Sequence, residues 1–515
     1  MGVNLIVIFD LMFVRKLKSK NNKTYIQIVD KSSGRYKVVK SFGSASNQAQ
    51  EDSLVTKATH WMTHRLGVIE LDFSNVDTVF QSFMDAITSV KRVGYDLLLG
   101  RIFDEIGFNQ IEDDLFKDLV IARVAFPKSK LKTKEYLYRF KQIHYDEDQI
   151  YRYLDKLHST QKELAQQISY AHTLKILDDN INVVFYDVTT LYFEIDQEDE
   201  LRKTGFSKEG KHQNPQIVLG LLVSKNGYPL AYEIFEGNKF EGHTMLPVID
   251  AFKKKFSLQQ LVVIADSGLL SKSNVETLQE KGYEFVLGAR IKNEANKIKE
   301  KILALDLNNG ESAVIRKEHL KLIITYSEDR AKKDRYNREK GLRKLEKQIQ
   351  RGKLTKSNIN NRGYNKFLKL EGEISVAIDY DMLLQDERWD GLKGYLTNAK
   401  MNKNQIIENY RHLWQIEKAF RISKTDLKIR PIYHRLQRRI EAHICISFVA
   451  YKVYKELERQ LYEKKSSISA NKAIEIAENI IEIEMTLPQS GKVISRTLLK
   501  TDEQNYLNVI FDFGC

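Results

Sequence analysis

Alternating hydrophobic and polar positions predict short β-strands near the beginning of the chain. They occur at residues 12–14, 24–29 and 36–39, and segments rich in Asn, Ser, Gly and Lys separate them. A period of two is typical of strands with one buried face, and the separating residues favour turns. We therefore predict a strand-rich region over residues 1–70. Its interleaved Lys and Arg allow two interpretations: a sheet that contacts phosphates, or an ordinary hairpin with a solvated basic face.

A helical period replaces this alternation between about residues 75 and 172. Hydrophobic residues recur every three or four positions over 80–103 and 150–174, and the apolar run 116–125 stops before Pro127. A basic connection, 128–134, leads into a further predicted helix. Two helices joined in this way resemble a helix-turn-helix that reads duplex DNA, whereas a helical bundle with a basic rim explains the same pattern. We predict a helical region over 71–172.

Residues 181–290 combine strands with helices. Hydrophobic runs predict strands near 183–193, 217–223, 230–235, 261–265 and 282–287, and 246–256 has a helical pattern. A hairpin that leads into a strand–helix–strand unit predicts an α/β fold with a mixed sheet flanked by helices. Asp187 interrupts the first run and Asp266 ends the fourth. A carboxylate on a central strand needs a partner, because burying an unpaired charge is costly.

The regular alternation is lost over residues 291–395. The segment 330–356 is strongly basic with helical spacing, whereas 374–378 and 394–396 predict strands. We interpret 291–395 as an insertion of β strands plus a basic helix. The chain then returns to the α/β fold over 396–465, and residues 466–515 are predicted to form a C-terminal helix and tail.

The segment 409–424 predicts a single helix with an unexpected carboxylate. Steps of three and four residues place five residues on one face: Tyr410, Leu413, Glu417, Phe420 and Lys424. An ordinary amphipathic helix keeps charges away from its apolar face. Glu417 is therefore predicted to be partly buried and held by an ion pair or a metal ion.

Asp187, Asp266 and Glu417 are candidate metal ligands and catalytic residues, although they lie far apart in the sequence. If the fold brings them together, three hard oxygen ligands form an open site suited to Mg²⁺ or Mn²⁺. Two such ions about 3.5–4 Å apart promote phosphoryl transfer by acting on both the attacking and the leaving oxygen. We predict a site with two ions.

Composition and charge narrow the class of protein. The chain of 515 residues has room for about three domains, and its formal net charge of +13 favours a polyanionic partner. Cys445 and Cys515 form no Cys-x-x-Cys pair, which argues against a disulfide framework and a thiolate zinc site. The apolar segment 3–14 contains Asp10 and is too short to span a bilayer, which predicts a soluble intracellular protein.

Together these residues resemble a known signature. Tyr410, Leu413, Glu417 and Lys424 have the spacing of Tyr-x2-Arg-x3-Glu-x6-Lys (YREK), which marks a large group of bacterial insertion-sequence DDE transposases. Segments 185–190, 265–268 and 430–434 are similar to the same group, so the resemblance covers roughly residues 10–460. It implies a ribonuclease-H-like catalytic core, interrupted by a β-rich insertion between the second and third acids.

One position departs from the signature, because Leu413 stands where the group has arginine. Arg411 lies two residues earlier, about 200° away around a helix, so Arg421 is the candidate substitute. The resemblance implies that Tyr410 and Lys424 contact the DNA backbone. It also implies that Trp414 stacks on a base extruded from the duplex. A position in the protein core is the alternative for Tyr410 and Trp414, and Trp389 is a weaker stacking candidate.

The expected function is therefore DNA transposition. We expect Mg²⁺- or Mn²⁺-dependent cleavage of double-stranded DNA at inverted-repeat ends, followed by transfer of the ends into target DNA. In this interpretation 71–172 binds the DNA ends, and 173–290 and 396–465 form the catalytic core. The resemblance also implies a homodimer in the DNA complex and a place at the nucleoid of the bacterial cytoplasm. Alternatives are a ribonuclease-H-like nuclease without strand transfer, and an inactive DNA-binding descendant, which Leu413 favours.

Overall fold

The computed structural model describes residues 12–514, apart from 20, 22, 66–75, 179–180, 208–209, 259, 361–362, 372–374 and 488–489. The chain divides into two compact units, one of residues 1–88 with 485–494 and the other of residues 89–484 with 495–515. Most of the apolar segment 3–14 lies outside the described residues. No helix among those that are described is long and apolar enough to cross a membrane.

An antiparallel sheet covered by a helix forms the described N-terminal part of the first unit. Its strands β1 (Met12–Lys18), β2 (Thr24–Asp30) and β3 (Lys37–Ala45) pair in that order, which confirms the three predicted strands. Helix α1 (Gln48–Arg65), which the hydrophobic pattern did not predict, follows them. Their small core contains Ile26, Ile28, Ala58 and Met62.

The remaining elements up to the main sheet are α2 (Val76–Asp85), β4 (Ile87–Arg92), α3 (Arg101–Ile106), α4 (Asp114–Ala125), α5 (Lys130–Tyr136), α6 (Glu147–Thr160) and α7 (Lys162–Ile176). The next are β5 (Val183–Tyr192), β6 (Gln216–Ser224), β7 (Pro229–Glu236), α8 (Met245–Lys255), β8 (Val262–Ala265), α9 (Lys272–Glu280) and β9 (Glu284–Ala289). They are followed by α10 (Asn296–Leu303), β10 (Ser312–Lys317), β11 (Leu320–Tyr326), α11 (Glu328–Gln350), β12 (Leu368–Glu371), β13 (Ser375–Ile378), α12 (Tyr380–Glu387) and β14 (Leu392–Thr397). The last are α13 (Lys403–Arg411), α14 (Trp414–Thr425), α15 (Gln437–Glu463), α16 (Ala470–Glu478), β15 (Ile481–Thr486), β16 (Val493–Leu498) and α17 (Asp502–Phe511).

An eight-stranded sheet organises the second unit, with the strand order β10-β11-β14-β9-β8-β5-β6-β7. Strands β5, β6 and β7 form an antiparallel meander, whereas β5, β8 and β9 run parallel to one another. Strand β14 returns antiparallel beside β9. The predicted mixed sheet is therefore confirmed.

Both faces of this sheet are buried, which explains the continuous apolar runs in the sequence. Along β5, Phe185 belongs to a core shared with α4 and α15, whereas Val184 and Tyr186 belong to a core shared with α8 and α9. Every residue of β6 is buried. The central strands are thus packed on both faces, and they carry side chains at their ends.

The region 291–395 is divided between two structures. Strands β10, β11 and β14 extend the main sheet. The long basic helix α11 packs with the β12–β13 hairpin and α12 around a separate small core of Leu345, Phe367, Leu368, Ile378 and Leu383. The strands predicted at 374–378 and 394–396 are present as β13 and β14.

The helical part of the chain differs from its prediction in one respect, and it favours one of the two interpretations of this region. The pattern over 80–103 predicted continuous helix, but β4 separates α2 from α3. Helix α4 packs against α15 and is buried around most of its circumference, with Phe116, Leu119 and Val120 at most 1% exposed. The helical-bundle interpretation therefore describes α4 better than a helix that reads a DNA groove.

Candidate active site

Asp187 and Asp266 lie level with each other on neighbouring central strands. Strands β5 and β8 run parallel, and Tyr186 is aligned with Ala265. Asp187 is the next residue of β5, and Asp266 directly follows the end of β8. The strand order places β5 and β8 at the centre of the sheet, so the two carboxylates lie together near the carboxyl end of β8.

The two aspartates have different surroundings. Asp187 is half-buried, and its Oδ1 accepts a hydrogen bond from the backbone N–H of Val188 over 2.8 Å. Asp266 is exposed, and its Oδ1 accepts a hydrogen bond from the Tyr410 hydroxyl over 3.3 Å. Asp266 is therefore already oriented by a residue of the signature segment.

The segment 409–424 consists of two helices, so the prediction of a single helix was wrong. Helix α13 ends at Arg411 and α14 begins at Trp414. Between them, the N–H groups of His412 and Leu413 bond to carbonyls three residues earlier, each over 3.0 Å. Such a tightened turn rotates the chain more per residue than an α-helix does. The relative directions of the Tyr410, Arg411 and Glu417 side chains therefore cannot be derived from the periodicity of one continuous α-helix.

Glu417 lies in the first turn of α14, which packs against β5 and β6. Its side chain is exposed, so the predicted partial burial was wrong. The negative charges of Glu417 and Asp266 both act to raise the pKa of Lys393, so both acids lie within electrostatic range of this ammonium. Burial, and then repulsion from Arg330, nevertheless hold the pKa of Lys393 below its usual value.

The three predicted ligands are thus carried by the central strands β5 and β8 and by a helix packed against that part of the sheet. Their donor atoms are carboxylate oxygens, the type that Mg²⁺ and Mn²⁺ prefer. Within the described residues, no three His, Cys, Asp or Glu side chains are grouped so that they could hold a metal ion.

Tyr410 is buried at 4% exposure, and its ring packs on Tyr395 with 4.6 Å between ring centroids. The Lys393 ammonium lies over the same ring at 4.6 Å. Burial, followed by the charge of Asp266, holds the pKa of Tyr410 above its usual value. The ring therefore has the core position that was the alternative, while the hydroxyl remains a neutral donor at the acidic site.

The other candidate DNA contacts are exposed to different extents. Trp414 is 50% exposed and Arg421 is exposed, whereas Lys424 is half-buried. The core alternative for Trp414 is therefore wrong. Leu413, at the signature's arginine position, is buried at 7% exposure.

A cavity of about 730 Å³ lies beside Asp266 and Tyr410. Its lining includes the cations Arg290, Lys292, Arg330, Arg338, Lys366 and Lys393, and also Trp389. Several of these cations are held by acids: Arg338 pairs with Asp390, while Lys292 and Lys366 share Asp386. A concave basic surface next to carboxylates suits a polyanion.

Most of this basic wall was missed by sequence reasoning. Its members extend from residue 290 to residue 393, and Arg338 and Asp390 are 52 positions apart. The signal that was available was the basic helical segment 330–356, which the structure shows as α11 and the residues after it. Only the fold shows that residues of this helix line the cavity beside Asp266.

A comparison with known protein families identifies the family of this chain. The chain matches the transposase DDE domain family over residues 180–452, more than half of its length, and it belongs to that family. No curated protein matches the chain significantly.

Two solved structures are similar in part. One is a cryo-EM structure of piggyBac transposase in a synaptic complex with hairpin DNA, with a TM-score of 0.38, 10% identity, and coverage of 78% of this chain and 79% of that chain. The other is Mos1 transposase in a paired-end complex with the left transposon end, with a TM-score of 0.16, 13% identity, and coverage of 35% and 57%.

Proposed function

We propose that the protein is a transposase of the bacterial insertion-sequence group with the YREK signature. It cleaves double-stranded DNA at the inverted-repeat ends of its element and transfers the freed ends into target DNA. One observation carries the proposal: Asp187 and Asp266 lie level with each other on adjacent parallel strands, near the carboxyl end of β8. The helix that carries Glu417 packs against one of these strands, β5. Membership of the transposase DDE domain family supports this chemistry.

The catalytic core is proposed to be ribonuclease-H-like. The strand order β7-β6-β5-β8-β9, an antiparallel meander continued by two parallel strands, supports this fold. In this proposal 173–290 and 396–465 are its two parts, and 291–395 is the insertion that supplies the basic wall of the cavity. Residues 71–172 are proposed to bind the DNA ends.

Asp187, Asp266 and Glu417 would hold two Mg²⁺ or Mn²⁺ ions. Their oxygen donors fit such hard cations, and the two aspartates lie together near the carboxyl end of β8. When bound, the ions supply positive charge for the attacking and leaving oxygens of phosphoryl transfer.

The remaining side chains orient the acids and bind DNA in this proposal. Tyr410 fixes Asp266 through its hydroxyl, and the ammonium of Lys393 would offset part of the negative charge of Asp266 and Glu417. The basic cavity attracts the DNA backbone, to which Arg421 and Lys424 add positive charge. Exposed Trp414 is available to stack on an extruded base. Two copies of the chain would hold the two ends, at the nucleoid of the bacterial cytoplasm.

The proposal is tested by cleavage, in the presence of Mg²⁺, of a duplex that carries the element's own flanking ends. Glu417→Gln should abolish nicking, because it removes a carboxylate with little change of shape. Glu408→Gln is a matched control on α13, since Glu408 is also exposed. Equal cutting by wild type and Glu417→Gln would remove Glu417 from the mechanism.

A second assay separates transposition from simple cleavage. Pre-cut ends and a supercoiled target are incubated with wild type in Mg²⁺, and joined products are measured. A transposase joins the ends, whereas a nuclease cuts without joining. A wild-type chain that binds the ends but neither cuts nor joins them would be the inactive descendant.

A further inference from the structure

A second basic cavity, of about 610 Å³, lies in the second unit where α4 and α5 meet the segment before α15. Its lining includes Arg123, Lys128, Lys130, Lys428, His434 and His443. No Asp or Glu contributes to its lining in the described part of the chain. We call it the α4–α5 cavity. Asp187, Asp266 and Glu417 are not among its lining residues.

Two of its cations are buried next to each other. Arg123 is 5% exposed and Lys130 is 7% exposed. Burial, and then the charge of Arg123, hold the pKa of Lys130 well below its usual value. Adjacent buried cations without a carboxylate are unfavourable unless a further group compensates for them.

The contacts of Arg123 leave part of its guanidinium without an acceptor. Its Nη1 donates to the backbone carbonyls of Leu427 and Lys428 over 3.5 and 3.3 Å. Its buried Nε has no hydrogen-bond partner among the described residues. A planar guanidinium with a free N–H favours a bound oxyanion, because this geometry matches phosphate oxygens.

The imidazoles of His434 and His443 also line the cavity. The His443 Nε2 lies 2.9 Å from the Ile429 carbonyl, and its buried Nδ1 has no partner among the described residues. The ring of His434 lies 5.5 Å from that of His443 between centroids. Burial, and then repulsion from the cavity's cations, lower the pKa of His434 to about 4.

Asp155, an acid that acts on His434, is already engaged. It forms ion pairs with Arg438 and Arg439, each over 2.8 Å. These pairs hold the pKa of Asp155 below its usual value. Asp155 therefore does not serve as the missing counter-charge for Arg123 and Lys130.

We propose that the α4–α5 cavity is a phosphate-binding site in which Arg123 and Lys130 are the charged contacts and the two imidazoles are hydrogen-bonding neighbours. The phosphate is either a phosphodiester of bound DNA or free inorganic phosphate. The first source rests on the proposed function, whereas the second does not. Exposed Lys128 and Lys428 attract an anion towards the cavity, and Tyr433, 71% exposed, also lines it.

Inorganic phosphate is the first probe, added to the full-length chain at constant ionic strength with chloride as reference. Phosphate should raise the unfolding temperature of wild type in a saturable way. Lys130→Met should lose this saturable part, while Lys175→Met, at an exposed lysine of α7 outside the cavity, should keep it. A rise that is equal in wild type and Lys130→Met would overturn the proposal for free phosphate.

Histidine NMR of the wild type keeps the test valid if Lys130→Met fails to fold. Phosphate should shift the imidazole resonances of His434 and His443 with one shared saturation curve. Unchanged imidazole resonances at saturating phosphate would also overturn binding of the free ion.

Duplex DNA with the element ends is the second probe. The slope of log K against log salt should fall by about 0.9 in Lys130→Met, because one cation no longer neutralises a DNA phosphate. Lys175→Met should keep the wild-type slope.

The two probes in Lys130→Met are interpreted together. An unchanged slope together with an abolished phosphate response assigns the cavity to free phosphate. An altered slope without a phosphate response assigns it to DNA, and no response to either probe refutes the site. A phosphate response in a chain that neither cuts nor joins DNA supports the cavity while contradicting the proposed function.

Discussion

The hydroxyl of Tyr410 donates a hydrogen bond to Oδ1 of Asp266 over 3.3 Å. Helix α13 brings this hydroxyl to the end of β8, and burial with the nearby carboxylate keeps it protonated by holding its pKa high. A neutral donor fixes the orientation of a carboxylate without removing its charge. Tyr410 is therefore a positioning residue for Asp266 in the proposed site.

Tyr410→Phe should lower DNA cleavage by about 10–100-fold, the usual cost of losing a group that orients a metal ligand. It should also raise the Mg²⁺ concentration needed for half-maximal cleavage. The free energy of unfolding should change by about 1.5 kcal/mol or less, since one hydrogen bond is lost and the ring remains. Nicking across a Mg²⁺ titration and denaturant unfolding measure these effects. Tyr380→Phe, at an exposed tyrosine, is the control, and a wild-type Mg²⁺ dependence in Tyr410→Phe would contradict this role.

Gly288 on β9 provides the space that the Tyr410 hydroxyl occupies. A Cβ at this position would lie 2.5 Å from the hydroxyl oxygen and 2.9 Å from the backbone nitrogen of Ser267. Gly288→Ala should therefore displace Tyr410 or the residue that follows Asp266. We expect a loss of about 1–3 kcal/mol in stability and at least the activity loss of Tyr410→Phe.

Thermal unfolding and the nicking assay test the Gly288 substitution. Gly268→Ala is a control in the same neighbourhood, because among the described residues its Cβ would meet only Glu241 Oε2, at an ordinary distance of 3.7 Å. Wild-type stability and cleavage in Gly288→Ala would show that the site tolerates the displacement.

The positions of Asp187 and Asp266 could be predicted from the sequence, because buried parallel strands appear as continuous apolar runs and each acid interrupts or ends one. Helix α1 could not, since its apolar face against β2 depends on a few small or flexible residues such as Ala58 and Met62. The interruption of the helix at His412 and Leu413 also could not be predicted, because the sequence has no Gly or Pro there. It is visible only in the hydrogen bonds that span three residues instead of four.

The basic surroundings of the acids depend on contacts that are distant in sequence. Lys393 on β14 lies within electrostatic range of Asp266 and Glu417 because β14 adds to the sheet beside β9, and no local pattern predicts that order. Periodicity therefore predicts which residues lie on strands. It does not predict which cations the fold brings to them.

Leu413→Arg restores the signature arginine, yet it should not increase activity. Leu413 is 7% exposed within the core that also contains Ile416 and Ala419. An arginine there would bury an unpaired charge or push the turn between α13 and α14 outward. We expect a loss of about 2–4 kcal/mol in the free energy of unfolding, with no gain in cleavage.

Leu413→Met is the matched control, because a similar volume without charge should cost less than about 1.5 kcal/mol. Denaturant unfolding and end cleavage are measured for both variants. Higher cleavage by Leu413→Arg at unchanged stability would show that this position faces DNA and not the core.

Trp414→Ala should separate DNA binding from stability. Because the side chain is 50% exposed, its removal should cost about 1 kcal/mol or less in unfolding free energy. Loss of a base stack should weaken the complex with transposon ends by about 1–3 kcal/mol. Fluorescence of 2-aminopurine placed near the cleavage site reports the extruded base directly. Tyr462→Ala, 84% exposed on α15, should change neither quantity, and unchanged fluorescence in Trp414→Ala would exclude stacking by this residue.

His172 should make the stability of the chain sensitive to mild acid. Its Nε2 lies 3.9 Å from Glu456, and Lys452, Arg459 and Lys175 also act on it. Burial is the largest cause that lowers its pKa to about 4, from 6.5 in the unfolded chain. The unfolded chain therefore binds the proton first. The contribution of His172 is complete above pH 6.5, is lost as the pH falls from 6.5 to 4, and amounts to about 3 kcal/mol.

His172→Gln removes this titration while it keeps a polar side chain at the site. The free energy of unfolding of the variant should decrease less than that of wild type between pH 6.5 and pH 4, since the other groups titrate in both. His319→Gln, at an exposed histidine, should keep the wild-type pH dependence. Denaturant unfolding at several pH values measures the difference. Parallel curves for wild type and His172→Gln would mean that the folded chain accepts a proton at His172 as readily as the unfolded chain does.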